Sequence, residues 1–341
     1  MSLGWKSGDR LEPSRDALFT IHGISVRVIV VGMGVQGHKR RQIAGGDFVA
    51  AVDPVNVEAE YRRVEDVPAG TYDAALVCTP DEPKTDLLRY LLGQRKHVLV
   101  EKPLWAARDE EIEELENLAR SKRAVCYTAY NHRFEPHYVR MRELVRSGVL
   151  GSIYRCRMFY GNGTARLVRD SAWRDQGAGV LPDLGSHLLD TARFWFGTLN
   201  CTFQVISANC HENRAPDHVV IMSKQTVPAL ELEMTLLSWR NHFTCDVFAE
   251  KGSAHISSLC KWGPTTFCHR TRILPSGRPP EDVVTLEQSD PTWELEYEHF
   301  KRLCTTGAAT DLSNDLWLNR VLRELGEAAI REAAAVADRR S

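Results

Sequence analysis

The chain has 341 residues, of which 43% are hydrophobic and 26% charged, and its formal net charge is −2. That length exceeds one hydrophobic core, so two domains are expected, and the absence of a basic block argues against nucleic acid as a partner. Nine cysteines lie scattered as singletons with no Cys-x-x-Cys pair, which speaks against a disulfide framework or a zinc site and for a reducing compartment; no metal is expected.

In chain order, residues 1–24 are polar and are read as an N-terminal extension outside the fold. Their opening, "MSLGWKSGDRLEPSRD", lacks the hydrophobic region of a secretion signal, and no later run approaches the ~20 apolar residues of a membrane helix, so a cytoplasmic chain without a membrane partner is expected. From Val26, strand-like and helix-like stretches alternate. "VRVIVVG" precedes a short helix to about Ala44, then come "DFVAAVD", "YDAALVCT", a helix over about 83–95, "HVLVEKP", a charged helix over 107–122, and "AVCYTAY". Runs apolar at every position predict strands buried on both faces, and their alternation with helices predicts a doubly wound parallel sheet, a Rossmann domain over 25–129.

The first strand runs into Gly32, Gly34 and Gly37, and Asp53 lies twenty-one residues beyond Gly32 at the end of the second strand. In that setting Gly-x-Gly-x-x-Gly is a dinucleotide site. The glycines, with Val35 and Gln36 between them, let a pyrophosphate approach a helix N-terminus, and the carboxylate accepts hydrogen bonds from a ribose. Asp53 would repel the additional phosphate of NADP, so NAD is expected. Arg62 and Arg63, close by in sequence, either moderate that preference, leaving NADP possible, or form a solvated helix face.

Beyond about residue 130 the period changes. "LELEMTLLSW" alternates in the manner of a strand with one wet face, and similar runs at 152–161, 201–210 and 243–249 predict an open, mostly antiparallel sheet. With a closing helix at about 311–337 it makes a C-terminal α/β domain for substrate and oligomerisation over 130–341. The strands between 201 and 249 are expected to present an apolar face too large for a monomer, giving a homodimer or homotetramer.

Two short stretches carry chemistry. Lys102 of "VLVEKP" stands at the carboxyl end of a parallel strand, the edge where such sheets bind ligands, and Pro103 keeps it extended. Asp183 and His187 are four apart, a spacing that puts them on one helix face within mutual reach as an acid-base pair. The alternative for that pair is a helix cap and a core histidine. Between them in the chain, "YGNGTARLVRDSAWRD" offers Arg166, Arg169, Trp173 and Arg174, suited to a sugar, cyclitol or nucleotide sugar, or else forming a basic surface loop.

Gly32-x-Gly34-x-x-Gly37, Thr79-Pro80, Glu101-Lys102-Pro103, Tyr130-Asn131-x-Arg133-Phe134 and the run from Gly177 through Asp183 to His187 together resemble the glucose-fructose oxidoreductase, inositol dehydrogenase and rhizopine-catabolism (Gfo/Idh/MocA) family. The resemblance implies an NAD(P)-dependent dehydrogenase acting on a polyol or sugar, with Lys102, Asp183 and His187 around the nicotinamide. It also implies cofactor contacts at Thr79, Pro80, Glu101 and Lys102, and a substrate side that includes Tyr130, Asn131 and Arg133. Two positions depart from the pattern: Lys84 stands where a histidine is common, and Ala178 interrupts a glycine run. His187 is assigned as base, Lys102 as the cation facing the developing alkoxide and Asp183 as the group orienting His187 or a substrate hydroxyl, with His187 and Lys102 free to exchange roles. An ordinary histidine would give the pH dependence a midpoint of about 6 to 7.5. An NAD-dependent glycosidase, a non-catalytic dinucleotide-binding regulator and an NADP-dependent carbonyl reductase are the competing readings.

Overall fold

The apolar runs of the first third assemble as β1 (Val28–Val31), β2 (Phe48–Val52), β3 (Ala74–Val77), β4 (His97–Glu101) and β5 (Cys126–Ala129) in a computed structural model that describes residues 25–171, 174–224 and 227–340. Every side chain of β1 and β3 is buried, which is why these runs do not alternate. All neighbours are parallel, in the order β2-β1-β3-β4-β5. Helices α1 (Val35–Ala44), α2 (Lys84–Gly93) and α3 (Asp109–Lys122) pack on this sheet. No α-helix joins β2 to β3; a single parallel bridge from Tyr61 to Val52 stands at the edge of the sheet instead. The order reverses between β1 and β3, so the crevice opens over the carboxyl ends of those strands.

The second sheet is built from β6 (Ile153–Gly161), β7 (Thr202–Asn209), β8 (His218–Lys224), β9 (Ala229–Thr235), β10 (His242–Ala249), β11 (Gly252–Ser257), β12 (Thr265–Thr271) and β13 (Glu281–Leu286). Its order is β13-β12-β11-β10-β6-β9-β8-β7, antiparallel except for the parallel pair β6 and β9. One face packs on α4 (Pro136–Arg146), α6 (Ser186–Phe196) and α8 (Ser313–Arg340), burying Met158, Leu230, Leu232 and Met234 with Met141, Leu188 and Leu322.

The other face departs from the apolar surface expected of it. Glu231 pairs with Arg155 and Arg157, and Arg157 reaches Glu233 at 3.6 Å. Phe159 and Phe248 stand among these charges at positions in register with Glu233 and Arg155. The alternation that buries leucine inward places charge outward, so the face is a mixed ladder rather than a hydrophobic plate.

The C-terminal part is likewise not self-contained. Helix α7 (Thr292–Thr306) returns to the first sheet, where Tyr297 and Phe300 share a core with Val28, Val30 and Leu76. Its Glu296 accepts a hydrogen bond from Arg40 of α1 at 2.8 Å, while the same guanidinium donates to Glu101 at 2.7 Å. This buried trio ties α1, the end of β4 and α7 together. Among the described residues no helix is long and apolar enough to cross a membrane, and no group of His, Cys, Asp or Glu could hold a metal ion.

Candidate active site

Each of the three glycines after β1 has its own reason. Gly32 has φ +92°, and a Cβ there would lie 2.7 Å from the Cys78 carbonyl oxygen; one on Gly37 would lie 1.9 Å from the Gly32 oxygen. These two are required by the turn and by close packing of helix on strand. Around Gly34 a Cβ would meet nothing within 4 Å. Its backbone is extended, with φ −80° and ψ −166°, so no protein contact explains the glycine, and the open space lies at the start of α1. The first helical bond there runs from His38 N to Gly34 O at 3.0 Å, which leaves the N–H groups of Val35, Gln36 and Gly37 without intrahelical acceptors. With no acidic residue in that first turn, the cradle suits an anion.

Asp53 accepts N–H bonds from Met33 at 2.7 Å and from Val55 and Asn56 at 2.8 Å each. Partial burial works against its charge, but these N–H groups and Arg62 outweigh it and hold the carboxyl below its usual range. Three of about four acceptor positions are filled, which leaves one for a ribose hydroxyl. Arg62 is not on a helix face: it donates to the backbone oxygens of Asp53, at 3.2 Å, and Asn56, at 2.6 Å. Arg63 pairs with Glu65 at the surface. On the far side of the crevice the buried hydroxyl of Thr79 has no partner. Open cradle, acceptor and orphan hydroxyl fit a dinucleotide.

At the end of β4, Lys102 Nζ donates to the backbone oxygen of Asp183 at 2.8 Å and to its Oδ1 at 2.9 Å, and Arg174 approaches Oδ2 at 3.4 Å. Burial pushes the Asp183 carboxyl up, yet the two cations more than compensate and hold it below its usual range. Lys84, the departure noted above, is 2% exposed and supports this segment from below. Its ammonium donates to Asp81, to Glu101 O at 3.3 Å and to Pro103 O at 3.1 Å.

His187, on the first turn of α6, makes no hydrogen bond with Asp183, and its buried Nδ1 has no partner. The expected pairing fails because Leu181–Gly185 is a π-helical turn: the wider turn breaks the i, i+4 alignment of an α-helix, and the Asp183 carboxylate lies against Lys102. His187 instead stacks on His132, with centroids 4.0 Å apart and planes inclined by 21°, beside Tyr160. Burial, then His132, Lys102 and Lys261, push the His187 imidazolium well below its ordinary range. The midpoint of 6 to 7.5 expected from sequence is therefore corrected downward.

Two family models match the chain: "Oxidoreductase family, NAD-binding Rossmann fold" over residues 26–130 and "GFO/IDH/MocA C-terminal domain" over 138–255. The chain belongs to the Gfo/Idh/MocA family. Its residues 26–130 thus form the NAD-binding Rossmann fold of an oxidoreductase family. Among curated family members, an uncharacterized oxidoreductase of Schizosaccharomyces pombe is 30% identical over 142 residues, covering 40% of this chain and 38% of that protein. The inositol 2-dehydrogenase of Mycolicibacterium gilvum is 26% identical over 254 residues, covering 68% and 71%. The matched stretch thus spans under half of the first relative's length and most of the second's. A levoglucosan dehydrogenase solved in complex with NADH superposes with TM-score 0.76 at 16% identity, covering 90% of this chain and 98% of that one, a likeness of fold.

Relative to the family motifs, several expected site residues lie elsewhere or are otherwise engaged. Tyr130 is 1% exposed with an unpartnered hydroxyl. Asn131 donates to Thr292 at 2.8 Å, and Arg133 is committed to a paired contact with Asp190. Asn131 and Arg133 thus spend these donors within the protein, whereas the Tyr130 hydroxyl is buried without a partner. Glu101, expected beside the cofactor, spends one oxygen on Arg40. Arg166 and Arg169 are exposed on the short helix α5 (Ala165–Arg169), while Arg174 reaches the Asp183 cluster. Trp173 lies outside the described residues. Sequence reasoning missed Lys261 and His132: Lys261 Nζ lies 3.1 Å from His132 Nε2 and 3.2 Å from the Tyr160 hydroxyl. His132 is the unspecified position of the Tyr-Asn-x-Arg-Phe motif, and nothing local marks Lys261.

Proposed function

We propose that this family member is an NAD-preferring dehydrogenase that oxidises a secondary alcohol of a polyol, either a sugar or a cyclitol. The observation that carries the reading is the convergence of Lys102, Asp183 and a histidine held neutral, His187, at the carboxyl edge of the first sheet. Val35, Gln36 and Gly37 would hold the pyrophosphate through backbone N–H groups, Asp53 a ribose hydroxyl, and Thr79 and Pro80 would border the cofactor. A bound nicotinamide supplies the hydride acceptor. Lys102 uses two N–H bonds on Asp183, so its third can meet the substrate oxygen and stabilise charge developing there. His187 is the group placed to take the hydroxyl proton. Asp183 orients Lys102, not His187.

The named activities of the inositol and levoglucosan relatives support the substrate class. Carboxylate repulsion at Asp53 supports NAD over NADP. The test is a screen of cyclitols, sugars and anhydrosugars with each cofactor, read as the absorbance of reduced nicotinamide. Turnover with NAD and at least one such substrate is expected. Reduction only with NADP, or with no polyol at all, would remove the reading. We also propose a homodimer or homotetramer; light scattering is expected to exceed the 38.5 kDa of one chain.

A further inference from the structure

The scheme above leaves the second lysine of the site without a task. Lys261 lies in the short turn Cys260–Trp262 after β11, with its ammonium over the rings of Tyr160 and Trp262. That turn is fastened to the one carrying His132. Glu135, buried at 1% exposure, accepts from Cys260 N at 3.1 Å and from the Cys260 thiol at 2.8 Å. Glu135 directly follows the turn Asn131–Phe134 and begins α4. One carboxylate thus fixes Lys261 and His132 relative to each other.

An ammonium has only donors, so its contact with His132 makes Nε2 the acceptor and puts the His132 proton on Nδ1. Across the other side of that ring, at 4.0 Å, lies His187.

We propose that Lys261 is a positioning residue for the reaction: it holds His132 as a neutral imidazole against His187, and its charge opposes a proton on either ring, so His187 meets substrate as a free base. This rests on reading His187 as the proton acceptor. The groups facing His187 are His132 on its turn, Tyr160 of β6, Lys102 from β4, Lys261, and Asp183 one turn before it. Three of them, His132, Lys102 and Lys261, act against protonation. Asp183 would favour it, but its carboxylate is taken up by Lys102 and Arg174. Lys261 is in turn faced by Asp290, Glu135, Cys260 and Asp183. Burial pushes its ammonium down to about 8 in spite of those acids, so at neutral pH it still carries the charge the proposal needs.

The test is an imidazole ¹⁵N NMR titration of the full chain without ligand, comparing the unaltered protein with Lys261→Met and Lys261→Arg, the His187 signal being identified by its loss in His187→Ala. The His187 midpoint is expected to rise in Lys261→Met, which removes one of the cations that depress it, and to stay low in Lys261→Arg. A midpoint unmoved in a Lys261→Met protein with native circular dichroism overturns the proposal. Should Lys261→Met not fold, Lys261→Gln, which keeps a donor and loses the charge, is read by the same criterion. The titration is independent of turnover: a shifted midpoint in a protein that oxidises no polyol leaves only the coupling of Lys261 to His187 standing and removes the dehydrogenase reading, whereas polyol oxidation with an unmoved midpoint keeps that reading and overturns this inference.

Discussion

At the residue scale, Gly34 and Gly37 separate binding from folding. A methyl on Gly34 meets no protein atom, whereas one on Gly37 would lie 1.9 Å from the Gly32 carbonyl oxygen. Gly34→Ala is therefore expected to keep the thermal midpoint and lose NADH affinity, measured by cofactor fluorescence. Gly37→Ala should lower the thermal midpoint itself. For His187 the sign follows from its environment. The base acts when neutral, and burial with neighbouring cations depresses its pKa, so catalytic efficiency should stay level as pH falls through about 6.5, the ordinary histidine value. Loss is expected only at lower pH. His187→Ala should cost roughly 10²-fold in turnover with NADH affinity retained; near-normal turnover would transfer the role of base to Lys102. The glycine spacing and the strand-end lysine were legible because each depends on neighbours within a few residues. The partner of His187 was not: a π-helical turn leaves no mark in a four-residue spacing, and His132 meets Lys261 across 129 positions of chain.

At the scale of elements, strand runs of the first sheet were readable because burial on both faces removes every polar residue from β1 and β3. The open face of the second sheet was misjudged because alternation reveals which positions are wet, not whether the wet ones carry charge or hydrocarbon; the answer lay in Glu231 and Glu233 meeting Arg155 and Arg157 from another strand. Nor could sequence show that α7 leaves the second sheet, since Arg40 and Glu296 are 256 residues apart. That buried contact is testable. Glu296→Ala would leave Arg40, 1% exposed, with Glu101 as its one remaining carboxylate partner, and breaking a buried pair in this way typically costs about 3–5 kcal/mol. Urea unfolding should show a loss of that order. A change under about 0.5 kcal/mol, the range of ordinary surface substitutions, would mean that the other contacts of α7, Tyr297 and Phe300 among them, hold it without this pair. Lys84 gives a second test of an element. Lys84→Met removes the donors beneath Glu101 and Pro103, so turnover should fall more than NADH affinity as Lys102 loses its support.

Across the whole molecule, α8 joins the two cores. Leu312, just before it, and Leu316 in its first turn pack with the first sheet's core, whereas Leu318, Leu322, Leu325 and Ala329 pack with the second's. Near that transition Asp315 is buried at 5% exposure. It lies close to a joint where Arg133 and Asn314 both bind Asp190. Burial pushes the Asp315 carboxyl up to about 7, with the Asp190 charge adding to the rise and Arg133 opposing it. Its value in the unfolded chain is 3.8, so the unfolded state gives up this proton first. The stability associated with keeping it is present at low pH and is lost as pH rises from 3.8 to about 7. Asp315→Asn carries no such proton. The variant also places a new amide in the site, a constant offset that does not vary with pH, so the measurement is the change in the difference between the two proteins. Chemical unfolding at pH 5 and pH 8 should show Asp315→Asn gaining on the unaltered chain as pH rises, by at most about 1.4 kcal/mol per unit within that window. A difference unchanged between pH 5 and pH 8 would mean that Asp315 is ionised throughout and paired to Arg133, and α8 would then be anchored by charge where the structure has it anchored by apolar packing.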